Sequence, residues 1–384
     1  MSPDPERELL VVAVEASADA HGAAVLRELR ALQPGLRAFG AAGPLLRAEG
    51  CEALVRAEHL SVMGIAEVLP ALPRILGSLS RLARAARERR PAAALLIDSP
   101  DFNLRLARRL RRMGVPVVYF IGPSVWAWRA YRVRQIARDV RRMLVVLPFE
   151  QQFYEERGVQ ATYVGNPVAD RLRELPPRVG RDELRRELGV EAGAQVLALL
   201  PGSRRQEIAR LWKPMLEAAR LLRARRPGLR LVAPVAPTLD RALFDAPDVT
   251  LVDGRAADVL AAADAAVVAS GTATLEAALA PCPTVVVYRL SWLTWLVGRL
   301  LVRVRFVSLV NLLAGRALVP ELLQRRCTPE GIAAAVAPLL DDGPARAAQL
   351  EGMRALREAL APPGSPRAAR RAAEELSAVL RAAP

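Results

Sequence analysis

The chain has 384 residues, 52% hydrophobic but only 4% aromatic, so its core must rest on Ala, Leu and Val. Its 30 Pro and 24 Gly follow no period and its apolar content is high, which excludes collagen-like, low-complexity and disordered classes. The net charge is +15, and 17 Arg against four acids (Glu88, Asp98, Asp101, Asp139) between Arg74 and Arg142 place +13 of it in one stretch; a field so concentrated calls for an anionic partner, whereas an evenly spread excess would only be a solvated surface.

The start, MSPDPERE, is polar and acidic, and the apolar run behind it is too short for a signal peptide. Leu9–Val14 reads as a strand and Gly22–Ala31 as the helix after it. Leu60–Leu82 is apolar, with Met63, Leu69, Leu72 and Ile75, and leads into the Arg run. It suits an interfacial helix or, alternatively, a core helix with a solvated Arg face. Leu95–Ile97 reads as a strand, Leu104–Met113 as a helix, Val115–Ile121 as a strand, Tyr131–Arg142 as a helix and Met143–Leu147 as a strand. After Tyr163–Val164, the polar stretch Arg173–Arg181 is the linker candidate. A second series follows, with strands at Val196–Leu200, Leu229–Ala233, Val249–Val252, Ala265–Ala269 and Thr284–Tyr288. Ser291–Val310, the nearest approach to a membrane span, is interrupted by Arg299, Arg303 and Arg305. Strands alternating with helices imply α/β architecture with parallel sheets. The expectation is two Rossmann-like domains facing a cleft, at 1–175 and 182–345, with a helical tail at 346–384 packing back on either domain. Cys51, Cys282 and Cys327 lie far apart without a CxxC pair, which argues against a disulfide framework and suits a reducing compartment.

Open α/β sheets bind ligands at the carboxyl ends of their strands, so the residues after each strand carry the chemistry. After Leu200, Gly202, Ser203 and Arg204 offer backbone amides, a helix start and a counter-charge to a phosphate; a plain turn before a helix would look the same. After Ala269, Ser270, Gly271 and Thr272 permit close backbone approach, and Glu276 stands one turn on, where a carboxylate can hold a ribose. Two such loops in one domain favour a nucleoside diphosphate; GxGxxG and GxxxxGK[ST] are both absent. In the first series Glu15, Ser17 and Asp19 open a helix, and Asp98 directly ends a strand, with Asp101 suited to an N-cap. With only His21 and His59 in the chain, a carboxylate is the natural general base. No DxD and no His/Cys cluster occurs, so no metal site is expected.

At these motifs the sequence resembles the lipid A disaccharide synthases, inverting glycosyltransferases of the GT-B type, from about Val11 to about Pro329. The segments that carry the resemblance are EASADAHGA, GCEALVRAEHLSVMGIAEVL, IDSPDFNLRLARRLRRMG, PSVWAWR, LPFEQQFY, LLPGSR, AADAAVVASGTATLEAALAPCPTVVVYR and SLVNLLAGRALVPELLQ. The resemblance implies transfer of 2,3-diacylglucosamine from UDP to 2,3-diacylglucosamine 1-phosphate, forming a β-1,6 disaccharide without cofactor or metal. It further implies that UDP is held mainly by the C-terminal domain and that the protein sits in the cytoplasm, peripheral to the inner membrane because both substrates are acylated. A homodimer is compatible with it. By motif Asp98 aligns with the family's general base, Arg204 and Asn311 with residues for UDP or substrate, Glu276 with a ribose-binding Glu, and Glu15, Ser17 and Asp19 with an E-x-S-x-D loop.

The sequence departs from the family pattern at five places. Val14 and Ala18 stand for two glycines, Gly122 for Ser, Asn166 for His and Val310 for Pro, and Ala18 adds a Cβ where glycine would allow positive φ or close approach. The Arg run and the apolar 60–142 region then read as the face toward acidic lipid, with Trp126 and Trp128 as core or acyl contacts and Trp292 and Trp295 as membrane-facing. Two other readings remain at this point: a GT-B protein acting on another UDP-sugar, and a non-catalytic binder of anionic lipid or nucleic acid. Nucleic acid fits poorly, since stacking aromatics are scarce.

Overall fold

The computed structural model describes residues 7–60, 65–128, 130–174, 180–291, 295, 304–362 and 364–382, without the side chains of 65–71 and 172–174. Met63, the Leu69 side chain and Trp292 lie outside the described residues. The chain divides into two compact units: residues 1–167 with 364–384, and residues 168–363.

The first unit is a seven-stranded sheet of β1 (Glu8–Ala13), β2 (Arg37–Ala42), β3 (Glu52–Arg56), β4 (Ala93–Ile97), β5 (Val117–Phe120), β6 (Arg142–Val145) and β7 (Ala161–Tyr163). All neighbours pair in parallel, in the order β3-β2-β1-β4-β5-β6-β7. The second unit is a six-stranded sheet of β8 (Val196–Leu200), β9 (Arg230–Val235), β10 (Thr250–Asp253), β11 (Ala265–Ala269), β12 (Thr284–Tyr288) and β13 (Glu321–Leu323), ordered β10-β9-β8-β11-β12-β13. Each sheet reverses its strand order once, between β1 and β4 and between β8 and β11. The central strands AALLI, VLALL and AAVVA are unbroken apolar runs buried along their length, as strands covered on both faces must be. The nine expected strands all have counterparts; β2, β3, β7 and β13 were not anticipated, because RAFGAA, EALVR, ATY and ELL are short or poor in β-branched residues.

Three expectations are corrected. The unit boundary falls at Pro167/Val168, inside the helix Pro167–Glu174, rather than in the stretch Arg173–Arg181, of which residues 175–179 lie outside the described residues. The tail is not one body: the helix Pro344–Leu360 belongs to the second unit and Ala368–Arg381 to the first. In the latter, Ala372, Ala373, Leu376 and Leu380 are buried in the same cluster as Val25, Leu26 and Leu29 of the helix Ala16–Leu32. Finally, the 60–142 region is not a single exposed face. β4 and β5 within it are central strands, and Leu79 and Leu82 of the helix Ile65–Arg89 enter the core. Among the described side chains of that helix, Leu72 at 40% and Leu76 at 42% exposure are the large apolar ones left open. Trp295 is half-buried. Among the described residues no helix is long and apolar enough to cross a membrane.

Candidate active site

The strand-order switch of the first sheet places Glu15, two residues past β1, beside Asp98, the first residue past β4. Ser99 Oγ reaches Glu15 Oε1 at 3.4 Å. Asp98 (φ 50°) and Ser99 (φ 45°) are both left-handed, and on the next strand Ile121 (φ 61°) is too. Three non-glycine residues in that region, one of them β-branched, are strain that the surroundings must impose. Here the restraint is explicit. The Asp98 amide donates to Phe120 O at 3.0 Å. Its carbonyl accepts from Asn103 Nδ2 at 2.8 Å and from the Tyr119 hydroxyl, and Asn103 Nδ2 also donates to Ile97 O at 3.0 Å. The half-buried carboxyl extends from this rigid strand terminus and accepts from the Ser99 amide. Burial pushes it above the usual Asp range and the nearby Glu15 carboxylate adds to this, while the Ser99 amide pulls it back. Asp101 is not the cap of the next helix; Ser99 holds that position and Asp101 pairs with Arg132.

The other two residues of the E-x-S-x-D loop part company. Ser17 is exposed. Asp19 is 2% exposed, and its carboxylate accepts from the amides of Gly43 (2.8 Å), Leu45 (2.9 Å) and Leu46 (3.2 Å), capping the helix Pro44–Ala48. Its carboxylate oxygens are thereby engaged within the fold, and it shapes the loop. Ala18 is helical and buried, and neither it nor Val14 has positive φ, so the two lost glycines cost no backbone strain. At Gly122 an added Cβ would lie 3.1 Å from both Met143 Sδ and the Tyr154 hydroxyl, a crowding that suits glycine there.

The loop Pro123–Trp128 follows β5 and is tied to the helix Pro148–Glu155. Trp126 Nε1 donates to Glu150 Oε1 at 2.9 Å, and its ring meets Phe149 edge-on at 5.0 Å between centroids. The Tyr154 hydroxyl donates to Pro123 O at 3.1 Å. Glu150 was missed as a functional candidate, although it stands in the quoted LPFEQQFY segment. Trp126 is half-buried in this contact, whereas Trp128 is 42% exposed.

The second unit repeats the arrangement at its own switch. Gly202, Ser203 and Arg204 follow β8, and Ser270, Gly271 and Thr272 follow β11, its direct neighbour. One expectation changes: the amides of Ser203 (2.9 Å) and Arg204 (3.2 Å) donate to Glu207 Oε2 and are not open to a phosphate. The Arg204 side chain is 79% exposed and only loosely approaches Glu207, at 3.8 Å. Ser270 Oγ donates to Val307 O at 3.2 Å, while Gly271 and Thr272 are exposed. Glu276 sits one turn into the following helix and pairs with Arg171 at 2.9 Å. Asn311, expected at the ligand, is 1% exposed and fully engaged: Nδ2 donates to Val319 O and Glu321 Oε1, and Oδ1 accepts from the Val319 amide, each at 2.9 Å. Glu321 also accepts from Ser308 Oγ at 2.7 Å, so this cluster shapes the loop before β13. Asn166 is buried and donates to Val146 O at 3.0 Å, and Val310 is buried in the core of the second unit. Among the described residues no group of His, Cys, Asp or Glu is arranged to hold a metal ion.

The family model for lipid-A-disaccharide synthetase matches residues 9–375. The lipid-A-disaccharide synthase of Anaeromyxobacter dehalogenans (strain 2CP-C) is 54% identical over 99% of both chains, and that of Myxococcus xanthus is 52% identical over 97% of both. The enzyme of the same name from Pseudomonas aeruginosa is 43% identical over 94% of this chain and 95% of its own. Among solved structures, the calicheamicin glycosyltransferase superimposes with a TM-score of 0.62 at 19% identity, covering 99% of this chain and all of the other. A kitacinnamycin glycosyltransferase gives 0.63 at 20% identity over 98% of this chain and all of the other. These likenesses extend to the fold, which is of the GT-B type.

Proposed function

The chain belongs to the lipid-A-disaccharide synthetase family, and from that premise we propose how its residues perform the transfer. It is a glycosyltransferase of lipid A biosynthesis. The proposed reaction joins 2,3-diacylglucosamine, delivered on UDP, to 2,3-diacylglucosamine 1-phosphate. The acceptor 6-hydroxyl oxygen bonds to the anomeric carbon, the bond from that carbon to the UDP oxygen breaks, and the hydroxyl proton passes to Asp98. One displacement inverts the α-linked donor to a β-1,6 product. The observation that carries this reading is Asp98 itself: a carboxyl whose backbone is locked at a strained strand end, with its basicity raised by burial. The exposed Arg204 and the Ser270–Thr272 turn are proposed to hold the UDP leaving group, and Glu276 its ribose, the charge on UDP being met by Arg204 and backbone dipoles without a metal. Peripheral contact with the inner membrane is supported by Leu72 and Leu76, exposed one turn apart. It is also supported by Arg105, Arg108 and Arg112, exposed on the helix Pro100–Arg112 and without an ion pair among the described residues.

The test is release of UDP from UDP-2,3-diacylglucosamine with and without the acceptor, in detergent and EDTA. Acceptor-dependent release that survives EDTA supports the proposal. Asp98→Asn should lower kcat by about 100-fold or more while UDP binding is unchanged, as removal of a general base requires. Near-normal turnover in that variant removes Asp98 from the mechanism. UDP binding without release from this substrate pair would point to another UDP-sugar.

A further inference from the structure

Glu150 is 2% exposed, yet no cation among the described residues faces it. Its two oxygens are divided between two elements: Oε1 accepts from Trp126 Nε1 at 2.9 Å and Oε2 from the Leu147 amide at 3.1 Å. Among the described residues the other titratable group against it is the Tyr154 phenol, whose hydroxyl is already donated to Pro123 O. A buried carboxylate without a counter-charge is costly, and a helix start could be capped more cheaply by a neutral side chain. What the carboxylate adds is a grip on the indole of Trp126. The gripped loop follows β5, whose Phe120 and Tyr119 restrain the Asp98 backbone.

We propose that Glu150 is a positioning residue for the transfer, its ionised carboxylate holding Trp126 and the Pro123–Trp128 loop at the strand ends where Asp98 stands. This rests on the reading of Asp98 as the base. Protonation removes the negative charge that strengthens the bond from the Trp126 indole, so the hold weakens as pH falls. Desolvation raises this carboxyl to about 7, placing that change near neutrality.

The experiment follows the Trp126 indole N–H resonance in 15N-tryptophan-labelled protein, assigned with Trp126→Phe, from pH 5.5 to 8.5. The resonance should titrate in the wild type, and the titration should vanish in Glu150→Gln. A flat resonance in the wild type overturns the proposal. In parallel, Glu150→Gln and Trp126→Phe should each lower kcat by roughly 10- to 100-fold with KM for the UDP-sugar nearly unchanged. Unchanged kcat in a folded Trp126→Phe protein overturns it too. If Glu150→Gln fails to fold, the wild-type titration and Trp126→Phe still decide. Because the resonance is read without substrate, a protein that titrates but transfers nothing rejects the Asp98 chemistry and leaves the grip on the loop standing.

Discussion

Asp19 and Asp98 follow neighbouring strands of one sheet, yet their carboxylates do opposite work. Three amides of a separate helix point at Asp19 and saturate it, whereas Asp98 has its backbone restrained and its carboxyl left exposed to chemistry. Both residues were visible in the sequence as polar groups at strand ends; which one would be consumed internally depended on Gly43–Leu46, more than twenty positions from Asp19. Asn311 is engaged in the same way, by Val319 and Glu321. Glu150 allows a test that is independent of catalysis. Its folded pKa of about 7 lies above the ordinary 4.5, so the stability it contributes is full below the ordinary value and is lost as pH rises through 7. Glu150→Gln has no such dependence. From pH 5 to pH 8 the variant should therefore gain stability relative to wild type, by about 1–3 kcal/mol. Parallel pH profiles of the thermal midpoints would contradict it. Activity should move the other way, rising with pH in the wild type, because the ionised form is the one that holds Trp126.

Among the elements, the turn from β8 into the helix Arg205–Arg225 joins local rule and tertiary need most closely. Gly202 has φ 118°, and a Cβ there would fall within the Glu207 carboxylate that holds the Ser203 and Arg204 amides. Gly202→Ala should displace Glu207 and with it Arg204. We expect UDP affinity to fall at least tenfold while the thermal midpoint changes modestly; calorimetric titration with UDP checks this, and unaltered affinity would separate the turn from the nucleotide. Element types were legible wherever apolar runs were long, as in β8, β11 and β12. They were not legible in β2, where Ala-rich RAFGAA pairs beside β1 and Gly40 packs directly on the Val11 carbonyl.

On the scale of the whole molecule, the +13 stretch is partly neutralised within the fold. Arg89 pairs with Glu8 and Glu52 and Arg142 reaches Glu375, three carboxylates from outside the stretch, while the pairs of Arg111 and Arg138 with Asp139 and of Arg132 with Asp101 lie inside it and are already counted in the +13. The charge left for an anionic surface is smaller than the composition implies. The chain's end also returns to its beginning. Leu376 is 0% exposed in the core built around the helix Ala16–Leu32. Leu376→Ala should cost about 2–5 kcal/mol. Removing residues 364–384 should unfold the first unit while the second keeps a separate transition. A calorimetric scan in which the truncated protein retains both transitions would refute this.

The alternation of apolar strands and Arg/Ala/Leu helices determined by itself that the protein is α/β with two parallel sheets, because a strand buried on both faces must be apolar throughout and that mark is local. The short motifs marked Asp98, Arg204 and Glu276 for the same reason, being contiguous in the chain. Only the tertiary structure decided which polar side chains remain available and which are consumed by amides distant in sequence. It alone assigned the last helix to the first unit and brought Glu150 to Trp126. Those outcomes depend on packing between elements far apart along the chain, which no local pattern encodes.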